Sequence, residues 1–271
     1  MKKLDGDNPS ASLPHVENIS KDMEGEPRAG TQSLERGVAL LGVLATHQHR
    51  GLSLSDVARL SGLGVSTTQR LLKALHRLRL AERDADKRYR LGMLTFELGL
   101  AAGTKMPHID AMRPVLQLVA ERTGDTAYLV ARSGDETVCL LREQGHFPIR
   151  TMIMDVGSRR PLGLGGGSLH LLSHHDDDEV RRVIARNAEH YPRFHHVDAQ
   201  ILHFAVQEAR KRGYGLSHGR LTEGVSAVGI AVPTPDGLPV LAIGIACIST
   251  RMDEDHCRKA VRILREAVGT A

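Results

Sequence analysis

Between Gln32 and Gly92 the apolar positions recur at helical spacing in three short bursts and then alternate briefly in a basic stretch. Leu34, Val38 and Leu41 fall at i, i+4 and i+7, which predicts an amphipathic helix near 33–48 with Ser33 as its cap. Ser53 caps a second helix that turns Leu54, Val57 and Ala58 inward and stops at Ser61-Gly62-Leu63-Gly64, whose two glycines mark a tight connection. In the third helix, counting about 100° per residue from Ser66, the leucines Leu71, Leu72, Leu75 and Leu78 fall between about 120° and 240° and form the predicted buried stripe. Residues 81–92 then read as two short strands around a polar turn.

Further along, residues 108–123 and 198–212 read as helices, and Asp253 caps a last helix in which Val261, Leu264 and Val268 share a face. Strand-like runs flank Ser133-Gly134-Asp135 and Pro233-Thr234-Pro235-Asp236-Gly237, so two hairpins are expected. Helices interleaved with hairpins predict an antiparallel sheet with helices packed on it. A chain of 271 residues fits two domains better than one.

Charge sharpens this division. Residues 1–27 carry a net −3, residues 28–92 a net +7, and residues 93–271 balance to zero. One basic segment joined to a neutral one is the electrostatic footprint of a nucleic-acid-binding module. On the third helix, Ser66, Gln69, Arg70, Lys73, His76 and Arg77 occupy the arc opposite the leucines, and residues 57–81 hold no Asp or Glu. An ordinary solvated face mixes both signs, whereas this strip suits a major groove. Gln69 and Arg70 are of the types that bond purine edges, while the hydroxyls of Ser66, Thr67 and Thr68 at the helix start are placed for phosphate. Lys87, Arg88 and Arg90 make the hairpin a basic wing.

At these residues the chain resembles the IclR family of bacterial transcriptional regulators. The matching stretches are Gln32-Ser33-Leu34-Glu35-Arg36-Gly37, Leu54-Ser55-Asp56-Val57-Ala58, Gly62 to Leu72, and Tyr89-Arg90-Leu91-Gly92. Weaker matches follow at Arg160-Pro161-Leu162, Gly213-Tyr214 and Gly224-Val225. The composition of residues 1–31, rich in Pro, Ser, Asp, Glu and Gly without a period, predicts a disordered tail. The resemblance implies an α+β, two-domain protein with a winged helix-turn-helix over 32–92, a linker helix over 93–107, and a GAF/profilin-like α/β effector-binding domain over 108–271. It also implies operator DNA as partner, self-association as dimers or dimers of dimers, and a small organic-acid effector. A two-fold protein needs a nearly palindromic operator.

The run Pro161-Leu162-Gly163-Leu164-Gly165-Gly166-Gly167-Ser168 places four glycines within five residues ahead of a predicted helix, which points to close approach of the backbone to a ligand or to another element. It lacks the Lys-Ser/Thr ending of a Walker loop and the spacing of a dinucleotide site, so no cofactor is expected. The amides of Gly166, Gly167 and Ser168 at a helix N-terminus suit a carboxylate. The family resemblance places effector carboxylates there and adds Ser217, Ala227, Gly244 and Ala246 to the pocket. Small residues at these positions leave room for a bulkier, aromatic acid. Ile149 and Met152 stand as apolar walls on a strand ahead of the glycines, or equally as core residues.

Two other readings remain open in the sequence. His170 and His174 are four apart on a predicted helix, with His175, Asp176, His195 and His196 nearby, which is the raw material of a metal sensor without a recognised ligand signature. An enzyme is the other, but Ser168 lies in Gly-Gly-Ser-Leu-His, not in the Gly-x-Ser-x-Gly elbow, and no acid–base pair stands out. Cys139, Cys247 and Cys257 are widely spaced and form neither a disulfide framework nor a zinc ribbon. No run approaches the roughly 20 apolar residues of a membrane span and no secretory signal opens the chain, so a cytoplasmic location away from membranes is expected.

Overall fold

The structure is a computed structural model that describes residues 31–48, 50–102, 109–194, 197–219, 221–234 and 237–269. Except for Thr31, the tail expected over 1–31 lies outside these residues. The chain divides into two compact units, Met1–Pro107 and His108–Ala271. Among the described residues no helix is long and apolar enough to cross a membrane.

The first unit opens with α1 (Gln32–Thr46). Thr31 precedes it without a side-chain cap, so Ser33 lies inside the helix and is not its cap. Leu40, Val43 and Leu44 supply the core face, whereas Leu34 and Val38 stay more than half exposed. This helix is apolar on more than one side, and spacing alone does not choose which side faces the core. In α2 (Leu54–Ser61) the Ser53 hydroxyl accepts from the Asp56 amide at 3.2 Å and donates to the Asp56 carboxylate at 2.7 Å. The helix ends at Gly62, whose φ of 67° is open to glycine without strain. Then α3 (Val65–Arg77) buries Leu72 and Leu75 against Leu40, Val57 and Tyr89. Leu78, expected in the stripe, is 53% exposed because the helix stops one residue before it.

Strands β1 (Ala81–Arg83) and β2 (Tyr89–Leu91) pair antiparallel, and Leu52 adds a bridge to Tyr89. A winged helix-turn-helix results. Helix α4 (Met93–Ala102) follows, joined to the end of α3 by Arg79 and Glu97 at 2.6 and 2.8 Å. Residues 103–107 of the expected linker helix lie outside the described residues.

The second unit is built on a six-stranded antiparallel sheet in the order β5-β4-β3-β8-β7-β6. Its strands are β3 (Thr126–Ser133), β4 (Glu136–Glu143), β5 (Arg159–Pro161), β6 (Gly215–His218), β7 (Val225–Ala231) and β8 (Leu241–Ile248). One face packs on α5 (Ile109–Thr123) and α9 (Glu254–Gly269), the latter capped by Asp253. The other face packs on α6 (Gly166–Ser173), α7 (Asp177–Arg186) and α8 (Ala199–Arg212).

The alternation along β8 shows how the sequence fits both faces. Leu241, Ile243 and Ile245 fill the core under α5 and α9, while Ala242, Gly244 and Ala246 face the other way. Small side chains on that side let α6 approach closely. A Cβ on Gly215 would lie 2.0 Å from the Gly166 carbonyl oxygen, and one on Gly229 would lie 2.4 Å from the Gly167 nitrogen. Here only hydrogen fits, and glycine is required for the crossing itself. Helix α7 escaped the sequence reading: Asp176, weighed there as a metal ligand, instead caps it by accepting from the Glu179 amide at 2.8 Å.

Candidate functional site

Each unit holds one candidate site among the described residues. In the first, the Ser53 cap fixes α2, and the left-handed Gly62 turns the chain so that α3 starts at the extended Gly64. Ser66, Gln69, Arg70, Lys73, His76 and Arg77 are all exposed on α3. The side chains of Arg70, Lys73 and Arg77 have no ion-pair or hydrogen-bond partner among the described residues. His76 is engaged, its Nδ1 lying 3.2 Å from the Ala81 carbonyl oxygen.

The hydroxyl residues separate. Ser66 is exposed and Thr67 half-buried, but Thr68 is fully buried and its hydroxyl donates to the Gly64 carbonyl at 3.1 Å. Thr68 is therefore no phosphate ligand. Its wheel angle of about 200° already placed it among the leucines.

The wing also sorts its cations. Asp84 and Lys87 close the turn through a 3.0 Å backbone hydrogen bond, with Lys87 at a φ of 60° and its side chain exposed. Arg88 donates to the Gly51 carbonyl at 3.3 Å and stays exposed. Arg90 turns inward, reaching the Gln48 carbonyl at 2.5 Å and the Asp84 carboxylate at 3.3 Å, and so ties the wing to the end of α1. These contacts hold much of the Arg90 guanidinium within the unit. Arg90→Ala is expected to destabilise the first unit by about 1–2 kcal/mol and leave the salt slope of DNA binding unchanged, whereas Lys87→Ala lowers that slope by about one. Thermal unfolding and DNA titration at several salt concentrations check both.

The second site is a cavity of about 430 Å³, mouth included, between the sheet and the start of α6. Gly166, Gly167, Ser168, Ala227, Gly244 and Ala246 line it. Gly165, with a φ of 99° and no side-chain cap, leads into α6 and leaves the first amides of the helix at the cavity wall. Three expected residues are elsewhere. Ile149 and Met152 are 56% and 49% exposed on an irregular segment that precedes β5, where no strand alternation fixes their direction. Ser217 on β6 borders an adjoining hollow with Ile201 and Leu221, which meets the cavity at Leu164 and Gly165.

Ile153 and Met154 form the apolar wall instead, joined by Tyr128, Thr137 and Arg160, which the sequence reading did not single out. Tyr128 donates to the Thr151 carbonyl at 2.5 Å and accepts from the Ile153 amide at 3.2 Å, pinning this segment over the cavity. Burial pushes its phenol up to about 12, so it stays protonated. Strand parity was the available signal for Arg160, which points opposite to the half-exposed Arg159.

The two units correspond to known descriptions. "IclR helix-turn-helix domain" matches residues 33–85, and "Bacterial transcriptional regulator IclR C-terminal" matches residues 101–270. The chain belongs to the IclR family. Its relatives include the HTH-type transcriptional repressor AllR of Escherichia coli strain K12, 27% identical over 258 residues and 94% of each chain. AllR of Klebsiella pneumoniae is 28% identical over 89% of each. Among solved structures, an IclR transcriptional regulator from Alicyclobacillus acidocaldarius aligns with a TM-score of 0.71 at 26% identity, covering 88% of this chain and 96% of that one. An IclR homologue from Microbacterium hydrocarbonoxydans, complexed with 4-hydroxybenzoate, aligns at 0.62 and 21% identity, covering 85% and 95%.

In this IclR chain the described residues of the metal reading make other contacts. His170 Nδ1 accepts from the Ala231 amide at 2.8 Å, and His174 Nδ1 lies 2.7 Å from the His170 carbonyl oxygen. His175 sits against Arg132, and His195 and His196 lie outside the described residues. The Ser168 hydroxyl, considered as a nucleophile, accepts from the Gly163 amide at 2.8 Å and lies 3.1 Å from the Thr137 hydroxyl. Both contacts hold the glycine run in place.

Burial pushes His170 down to about 4 from an ordinary 6.5. The unfolded chain therefore takes up this proton before the folded one does. Stability contributed by the neutral ring is complete above about pH 6.5 and falls as the pH drops towards 4, by roughly 3 kcal/mol in all. His170→Gln keeps an acceptor for Ala231, and urea unfolding of this variant is expected to show a shallower acid slope across that window.

Proposed function

We propose that this IclR-family chain is a repressor that grips operator DNA through Ser66, Thr67, Gln69, Arg70, Lys73, His76 and Arg77, with Lys87 and Arg88 of the wing on phosphates. The observation that carries the reading is the set of three cations on one exposed helix face, unpaired among the described residues, with no acid between residues 57 and 81. Repression is the role in the names of the AllR relatives. The DNA-binding domain spans 32–92, and the effector-binding domain 108–271. The protein works where bacterial DNA lies, in the cytoplasm.

Dimers form through apolar surface of the first unit, where Leu34, Val38, Met93, Phe96 and Leu100 are each more than half exposed. Two copies then meet two half-sites of the operator. The effector is a small organic acid held in the cavity, its carboxylate near the amides of Gly166, Gly167 and Ser168. The cavity has walls of Val, Ile, Met and Ala, which suit an aromatic acid. The Microbacterium homologue bound to 4-hydroxybenzoate makes that compound the first to try.

The test is operator binding by fluorescence anisotropy with and without a panel of aliphatic and aromatic acids. A bound acid is expected to weaken operator affinity about 5- to 150-fold. Tight acid binding with unchanged DNA affinity contradicts the coupling, and failure to bind any operator contradicts the regulatory reading.

A further inference from the structure

The cavity holds a charge that no carboxylate among the described residues balances. Arg160 pairs through its backbone with Thr137 of β4, and its side chain turns inward until 4% of the residue is exposed. Its Nη2 donates to the Ile153 carbonyl oxygen, and no carboxylate among the described residues pairs with it. Other arginines of this unit are treated differently. Arg159 meets Glu136 at 2.7 Å, Arg142 meets Asp155 at 2.7 Å, and Arg251 meets Asp125 at 2.8 Å. A buried guanidinium without a counter-charge is costly, and such groups gather where a ligand supplies the missing charge.

The ionisable side chains that act on Arg160 by charge are the Tyr128 phenol and the Cys139 thiol, both kept neutral by burial. Burial lowers Arg160 itself to about 10, which leaves it charged at neutral pH. Among the described residues lining the cavity, no other carries a formal charge. The Thr137 and Ser168 hydroxyls are spent on each other, so a neutral polar ligand finds few partners, whereas an anion gains both Arg160 and the positive end of α6.

We propose that Arg160 is the counter-charge for the ligand of this cavity and makes the cavity select organic carboxylates over neutral amides of the same shape. The inference rests on the reading of the cavity as the effector site. It assigns to one side chain both the discrimination and the cost of an empty site. Without ligand, Arg160 weakens the fold, and an apolar residue of similar length relieves it.

Calorimetric titration of the full chain with benzoate, 4-hydroxybenzoate, benzamide and 4-hydroxybenzamide tests this, together with the unfolding temperature of each ligand-free variant. Wild type is expected to bind at least one acid about tenfold or more tightly than its amide. Arg160→Met loses that difference, keeps its amide affinity, and unfolds without ligand at the same temperature as wild type or higher. Arg160→Lys keeps part of the preference. Unchanged acid affinity in Arg160→Met, or a lower unfolding temperature of its ligand-free form, overturns the proposal while leaving the cavity a binding site. Ala227→Leu narrows the cavity without touching its charge. Acid binding that survives both Ala227→Leu and Arg160→Met, or a wild type that binds neither acid, overturns the reading of the cavity itself.

Discussion

Replacing Arg70 and Arg77 together by alanine is expected to cost about 2–6 kcal/mol of operator affinity, since each base-contacting side chain is worth about 1–3 kcal/mol. The two project from the same exposed face of α3 and have no hydrogen-bond or ion-pair partner among the described residues, so their removal is expected to leave the fold intact and isolate the contact with DNA. Lys73, on the same strip, behaves differently if it meets phosphate. Lys73→Ala is expected to weaken all sequences alike and to reduce the dependence of log K on log salt by about one. Anisotropy titrations on operator and scrambled DNA at several salt concentrations separate the two kinds of contact. Equal affinity of the double variant and wild type makes this strip an ordinary solvated surface.

The second large effect belongs to the sheet. Gly215→Ala drives a Cβ to within 2.0 Å of the Gly166 carbonyl oxygen and 2.9 Å of the His170 nitrogen, both backbone atoms that no rotamer change can move. Helix α6 must then lift from β6 and β7, taking the wall of the cavity with it. The second unit is expected to lose about 3 kcal/mol or more, near the upper end of overpacking costs. For a unit of this size the unfolding temperature falls by roughly 10 °C. Scanning calorimetry is expected to show that transition moving while the first unit unfolds as before, and organic-acid binding disappears with it. Gly62→Ala is the contrast: nothing lies within 4 Å of its Cβ, and the strain of its left-handed φ costs only about 1 kcal/mol.

How far the sequence revealed these features depended on how strongly each local rule was constrained. The basic strip of α3 was legible because a 3.6-residue period separated leucines from cations and no acid blurred the boundary. Thr68 was misplaced by attending to residue type over the wheel angle that buried it. In α1 the apolar residues run round too much of the helix, so Leu34 and Val38 were set on the core side although solvent reaches them. The glycine run announced close approach, and Gly166 packs on the backbone of Val228 and Gly229 while also lining the cavity. Ile149 and Met152 failed for a different reason: residues 149–158 follow no strand, and the chain's irregular path brings Ile153 and Met154 to the cavity. Nothing in residue type distinguishes Arg160 from Arg159, and only pairing in the sheet sends one inward.

Contact between the face of α3 and the operator is tested most directly by local cleavage. Cys139, Cys247 and Cys257 are buried, so an iron chelate coupled to a Val65→Cys variant labels the exposed start of α3. Two short clusters of strand cleavage, symmetric about the centre of the operator and spaced by about one helical turn or a multiple of it, are the expected result. Protein that binds the operator yet cuts nowhere, or cuts evenly along the DNA, contradicts the placement of this helix in the groove.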